Sequence, residues 1–193
     1  MQNVYVVSAV RTAIGKAKKG TLANYRPDEM AAAVVKEVVD RAGVPAGRVQ
    51  DIVLGCAFPE GCQGMNVARV AQARAGIPDS VPAITINRFC SSGLEAQAIV
   101  GAKLEAGLLD AAVAGGVESM SAIPMGGLKY EPNPELTRVR PEVYIGMGLC
   151  GDNVAREFKI GRQQLDEWAL RSHQCAVNAI DKGLFVDEIV PLD

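Results

Sequence analysis

Histidine is nearly missing: His173 is the only imidazole among 193 residues. A zinc site built from His and Cys at standard spacing is not expected, and no metal is assigned. The five cysteines, Cys56, Cys62, Cys90, Cys150 and Cys175, are odd in number and form no CxxC pair. This argues against a disulfide framework and fits a reducing, cytoplasmic setting. A basic surplus is missing too. Lys and Arg number 20 against 22 Asp and Glu, a net charge of -2, which speaks against nucleic-acid binding. No stretch approaches about 18 uninterrupted apolar residues, so no membrane span is expected. The opening MQNVYVVSAVRTAIGK has no basic run ahead of its apolar residues, so no targeting leader is expected. Aromatics are scarce at 5%, whereas glycine is plentiful at 20 residues. The interior must be made of small side chains with closely packed backbones. Apolar residues at 49% and charged residues at 22% form a globular balance. The length suits one domain, or one domain with an insertion.

The chain alternates between two periodicities. Val4–Ala9 reads as a buried first strand. Ala31, Val34, Val35, Val38, Val39 and Ala42 recur at helical spacing, with Pro27 in the first turn and Gly43 at the end. Strands are expected over 51–57, 83–87 and 110–117, with helices over 65–74 and from Cys90 to about residue 106. The order βαβαβαβ predicts a mainly parallel sheet. The helix after Cys90 is rich in Ser, Gly and Ala. It can be approached closely from several sides, which places it in the middle of the molecule. From 119 onward the pattern changes. A Pro- and Gly-rich run over 120–144 precedes helices expected near 148–159 and 162–182. The segment DEIVPLD looks like the start of a strand. Two parts are assigned, 1–118 and 119–193.

Cys90 is the sharpest chemical feature. It follows a strand and begins a helix, within NRFCSSG. A thiol there faces unpaired N–H groups and the positive end of the helix dipole, both of which favour the nucleophilic thiolate. The backbone amides beside it could act as an oxyanion hole. A buried thiol that merely fills space is the other reading, and it is favoured for the remaining four cysteines. His173 could serve Cys90 as a base, but a solvated or packed histidine fits its helical context better. GGVESM and PMGG resemble phosphate-cradling turns weakly, and neither matches GxGxxG. Close backbone packing explains them better. Met120, Met125 and Met147 could line an acyl pocket or fill gaps in the core.

NRFCSSGLEA at 87–96 closely resembles the nucleophile motif of thiolases. VVSAVRTAIGK near the start, GCQGMNVAR at 61–69, AGGVESMS at 114–121 and the segment 147–174 agree in order and spacing. PMGG at 124–127, followed by a Pro-rich stretch and MGL, looks more like degradative 3-ketoacyl-CoA thiolases than the biosynthetic acetoacetyl-CoA type. The resemblance implies two βαβαβαββ halves in an αβαβα sandwich, with a mostly helical loop domain inserted in the first half. It implies that Cys90 is acylated during catalysis, that Met147 lines the pantetheine and acyl pocket, and that coenzyme A is a substrate rather than a bound cofactor. Homo-oligomerisation is implied as well.

The resemblance also shows departures. The family runs to roughly twice this length. Its second half supplies a GHP histidine, an NEAF segment and a second cysteine in CxGGG, and none of these occurs here. The stretch Leu149, Cys150, Gly151, Asp152 differs from the commoner threonine-alanine-glutamate form. A segment supplying the C-terminal half is therefore expected, either a second polypeptide or the rest of a longer chain, and the 193 residues alone are expected to be inactive. The alternatives are a condensing acetyl-CoA acetyltransferase, a non-catalytic thiolase-like subunit, and a Cys hydrolase using Cys90 with His173.

Overall fold

Helix α1 (Pro27–Ala42) shows how local chemistry sets an element. Pro27 occupies the start, where a missing N–H costs nothing, and Asp28 and Glu29 complement the positive end of the dipole. Ala31, Ala32, Val35 and Val39 fall on one face and are buried. Gly43 closes the helix at φ +64°, with its N–H bonded to the Asp40 carbonyl. The computed structural model describes residues 3–192. After α1 come β1 (Ile52–Gly55), α2 (Val67–Arg74), β2 (Ala83–Ile86), α3 (Ser92–Glu105) and β3 (Val113–Gly116).

The three strands form one parallel sheet in the order β2-β1-β3. Ile52 lies opposite Ala83 on one side and Val113 on the other. The central strand β1 is buried along its whole length, which is why it reads as an unbroken apolar run. Side chains alternate across it. Ile52, Leu54 and Cys56 join α1 and α2 in the larger core, with Val35, Val39, Val67, Ala71, Ile77 and Val81. Val53 points the other way and meets Ala96 and Val100 of α3.

Glycine lets α3 approach. A Cβ on Gly55 would lie 2.4 Å from the Ser92 carbonyl carbon, and one on Gly116 would lie 3.5 Å from Gly93 Cα. Close packing of small residues is thus what GGVESM and the start of α3 provide. In this chain, however, α3 is covered on the sheet side only. Ser92, Ala96 and Val100 are buried, while Leu94, Gln97, Ala98 and Ala102 are exposed.

The first expected strand is not formed. Val4–Ala9 joins no strand, and Val6 is 86% exposed. An apolar β-branched run is a strand only where a neighbour supplies the ladder. Among the described residues, the one bridge here is the parallel pair Arg11 with Ile189. It is made by Arg11 N–H to the Glu188 carbonyl at 2.8 Å and Val190 N–H to the Arg11 carbonyl at 2.8 Å. The strand expected in DEIVPLD is reduced to this bridge over residues 187–192, and its last position, Asp193, lies outside the described residues.

The chain divides into two compact units. One holds the described residues up to Lys129 and those from Glu188 onward, and the other is Tyr130–Asp187. The second unit contains α4 (Pro134–Val139), a 3-10 turn at Pro141–Tyr144, α5 (Met147–Glu157) and α6 (Arg162–Asp181). Asn133 caps α4 by accepting the Leu136 N–H at 2.9 Å. Its own N–H donates to the Tyr144 hydroxyl at 3.0 Å, and the Tyr130 and Tyr144 rings meet edge-on at 6.3 Å. None of the three helices has a buried residue. No described helix is long and apolar enough to cross a membrane.

Candidate active site

The C-terminal ends of the three parallel strands lie level, with Gly55 opposite both Ile86 and Gly116. In open α/β sheets this edge is where ligands bind. Three loops leave it: 56–63 after β1, 87–91 after β2, and 117–121 after β3. The loop after β2 carries Cys90.

Cys90 is exposed. It is the middle residue of a 3-10 turn, Phe89–Ser91, that leads into α3 at Ser92. The helical stretch thus opens with a tighter turn around the thiol. Phe89, just before it, has φ +46°. For a bulky residue without glycine's freedom this conformation is costly and needs support from its surroundings. Support is present on both sides. The Asn87 side-chain oxygen accepts the Phe89 N–H at 2.8 Å. Ser92 Oγ donates to the Phe89 carbonyl at 2.6 Å and accepts the Arg88 N–H at 2.8 Å. Arg88 pairs with Glu95 at 3.0 Å. The Phe58 and Phe89 rings pack 6.0 Å apart.

Beside this turn lies a polar network that the sequence did not reveal. Gln63 is wholly buried. Its amide nitrogen donates to Glu118 Oε1 and, at 2.8 Å, to the Phe58 carbonyl. Its amide oxygen accepts the Ser119 N–H at 2.9 Å. Glu118 Oε2 accepts the Ala57 N–H at 2.6 Å. Cys56, 1% exposed, has its sulfur 4.0 Å from Glu118 Oε1. Burial first, and the Glu118 charge second, push the Cys56 thiol up to about 11. It stays protonated at neutral pH and is no rival nucleophile.

The other candidates are placed as follows. PMGG forms a turn around a carboxylate of the chain itself, with Leu128 N–H donating to Glu60 Oε2 at 2.6 Å. Met147 is the first residue of α5 and is 58% exposed. His173 lies exposed on α6. Gly146, Gly148 and Gly151 do have GxGxxG spacing, but they follow a 3-10 turn rather than a strand, so the context of a dinucleotide fingerprint is missing. Among the described residues no group of three or more His, Cys, Asp or Glu is placed to hold a metal ion. Asn87 carried one available signal: an Asn two residues before Phe89, just past a strand, is the pattern of a side-chain turn.

Comparison with known proteins places this arrangement. Residues 4–193 match the family described as thiolase, N-terminal domain. A 3-ketoacyl-CoA thiolase of Bacillus subtilis is 48% identical over the whole chain, which covers 49% of that relative. A probable acetyl-CoA acetyltransferase of Escherichia coli is 39% identical, again over the whole chain and 51% of the relative. The crystal structure of the Bacillus anthracis acetyl-CoA acetyltransferase superposes with a TM-score of 0.82 at 36% identity, covering 96% of this chain and 50% of that one. The chain spans about half the length of the curated relatives it matches. It belongs to the thiolase family, and what it carries is that family's N-terminal domain.

Proposed function

We propose that this chain supplies the nucleophile half of a 3-ketoacyl-CoA thiolase, with Cys90 as the acylated residue. The observation that carries the reading is an exposed thiol at the strand-end edge of a parallel sheet, at the head of α3. The Cys90 thiolate attacks the 3-keto carbon of a 3-ketoacyl-CoA. The bond between C2 and C3 breaks, its electron pair goes to C2, and that carbon takes a proton to give acetyl-CoA. The acyl group stays on Cys90 as a thioester. A second coenzyme A thiol attacks it, releasing the shortened acyl-CoA and restoring Cys90. Coenzyme A is thus a substrate, and Met147 is assigned to its pantetheine and acyl pocket.

The proton moves at C2 and on the incoming thiol need acid–base groups, which contribute about 100- to 10,000-fold. The reading gives these to a C-terminal half supplied by a partner polypeptide, in a homo-oligomeric assembly in the cytoplasm. The free cysteines support the cytoplasmic setting. Condensation of acetyl-CoA is the second reading, favoured by the fit to the Bacillus anthracis acetyl-CoA acetyltransferase. Rates with acetoacetyl-CoA and with longer 3-ketoacyl-CoA substrates separate the two.

The test combines selective labelling with intact mass. Iodoacetamide at neutral pH is expected to modify Cys90 ahead of the other four thiols. With the complementing half present, a 3-ketoacyl-CoA should leave one acyl group on Cys90, and Cys90→Ser should abolish transfer. Thiolysis by the 193-residue chain alone would refute the need for a complement. An active Cys90→Ser protein would refute the nucleophile.

A further inference from the structure

The geometry points to Asn87 as a positioning residue for Cys90, the last link of a relay that begins at Glu118. The inference rests on the reading of Cys90 as the nucleophile and deepens it. Each link is a hydrogen bond. Glu118 Oε2 accepts the Ala57 N–H at 2.6 Å. The carbonyl of the same residue, Ala57, accepts Asn87 Nδ2 at 2.9 Å. Asn87 Oδ1 then accepts the Phe89 N–H at 2.8 Å. Phe89 holds φ +46° and is joined directly to Cys90. Glu118 is itself fixed by the wholly buried Gln63, which also grips the Phe58 carbonyl. Phe58 in turn packs its ring on Phe89.

The relay has a physical purpose. An aromatic residue at positive φ relaxes toward the ordinary regions of backbone space unless its amide is held. Relaxation at Phe89 swings the following peptide and carries the Cys90 sulfur away from the head of α3. Among the described residues, the amide of Asn87 is the one side chain that bonds both the Phe89 N–H and the loop after β1. Two ends of the sheet, β1 and β3, thereby set the direction of a thiol borne by the third. Asn87 touches no reacting atom in this scheme. It acts on the position of Cys90.

The experiment compares Asn87→Ala, Asn87→Ser and Glu118→Ala with the wild-type chain. Three readouts are taken: the rate of Cys90 carbamidomethylation by iodoacetamide at pH 8, the thermal midpoint, and kcat and KM for acyl transfer in the complemented protein. Asn87→Ala is expected to slow labelling of Cys90 about two- to fivefold, as the thiol leaves the helix terminus. It should lower kcat by about 10- to 100-fold with KM little changed. Asn87→Ser retains a short acceptor for the Phe89 N–H and should recover part of both losses. Glu118→Ala should shift both quantities in the direction of Asn87→Ala, by less. It also decides the matter if Asn87→Ala does not fold. Wild-type labelling and wild-type kcat in the alanine variants overturn the relay, as does a fall in thermal midpoint alone. Failure of the nucleophile reading looks different: the wild-type protein then transfers no acyl group, and its Cys90 labels no faster than the other thiols.

Discussion

Cys56 is the residue at which charge, burial and stability are most directly coupled. Its thiol is held at about 11 against an ordinary value of 9.0, by burial and then by the Glu118 charge. Below pH 9 folded and unfolded chains both keep the proton, and the contribution to stability is complete. Between about 9 and 11 the unfolded chain loses its proton first, so stability falls as pH rises, by about 3 kcal/mol in all. Urea midpoints at about pH 8.5 and pH 11 should therefore drop more steeply for the wild type than for Cys56→Ala. Parallel slopes would show that Cys56 stays protonated in both states or ionises equally in both. Legibility differed among residues for a related reason. Cys90 could be picked out because strand, thiol and small helix residues follow one another along the chain. The Gln63 and Glu118 network could not, since Glu118 meets Ala57 across 61 residues of sequence and Asn87 meets Ala57 across 30. Their partners are chosen by the sheet, and only the fold brings them together.

Docking of α3 on the sheet depends on the absence of a side chain at Gly55. A methyl group there would sit 2.4 Å from the Ser92 backbone, which has no free rotation with which to yield. Gly55→Ala should destabilise the first unit by about 1–3 kcal/mol. Gly101, inside the same helix, has nothing within 4 Å of a built Cβ. Gly101→Ala should stabilise by roughly 0.5–1 kcal/mol through helix propensity. Denaturant midpoints at constant m-value check both, and an equal effect of the two substitutions would contradict the close approach. Elements with their own local signals were the legible ones. The helix α1 begins and ends where Pro27 and Gly43 require. Strands β1, β2 and β3 fall within the expected runs, each shorter by one to four residues in total. The run Val4–Ala9 has the composition of a strand but no ladder partner among the described residues, and composition cannot supply one. The exposed outer face of α3 has a similar origin. Leu94 and Ala98 are apolar or small as a central helix requires, yet in this chain they meet water.

Across the whole molecule, stability must be distributed unevenly. The unit containing β1, β2 and β3 buries Ile52, Val53, Leu54 and two clusters around them. The helices of Tyr130–Asp187 bury no residue, and the apolar positions of α6, including Leu165, Trp168 and Ile180, are exposed. Helices in water without tertiary packing are marginal, because nucleation is costly and each added bond gains little. Surface ion pairs such as Arg162 with Asp166 at 2.9 Å add only a few tenths of a kcal/mol. Hydrogen exchange followed by mass spectrometry should therefore find the amides of β1 and the inner face of α1 protected to the level of global unfolding. Those of α5 and α6 should exchange through local opening, orders of magnitude faster. Adding a polypeptide that carries the C-terminal half should protect the outer face of α3, where Leu94 and Ala98 now face solvent. Uniform protection across both units in the chain alone would mean that the helical unit is held by packing stronger than its burial provides. The Leu165 and Trp168 face would then be covered in solution by another copy of the chain, and protection of α6 would rise with protein concentration.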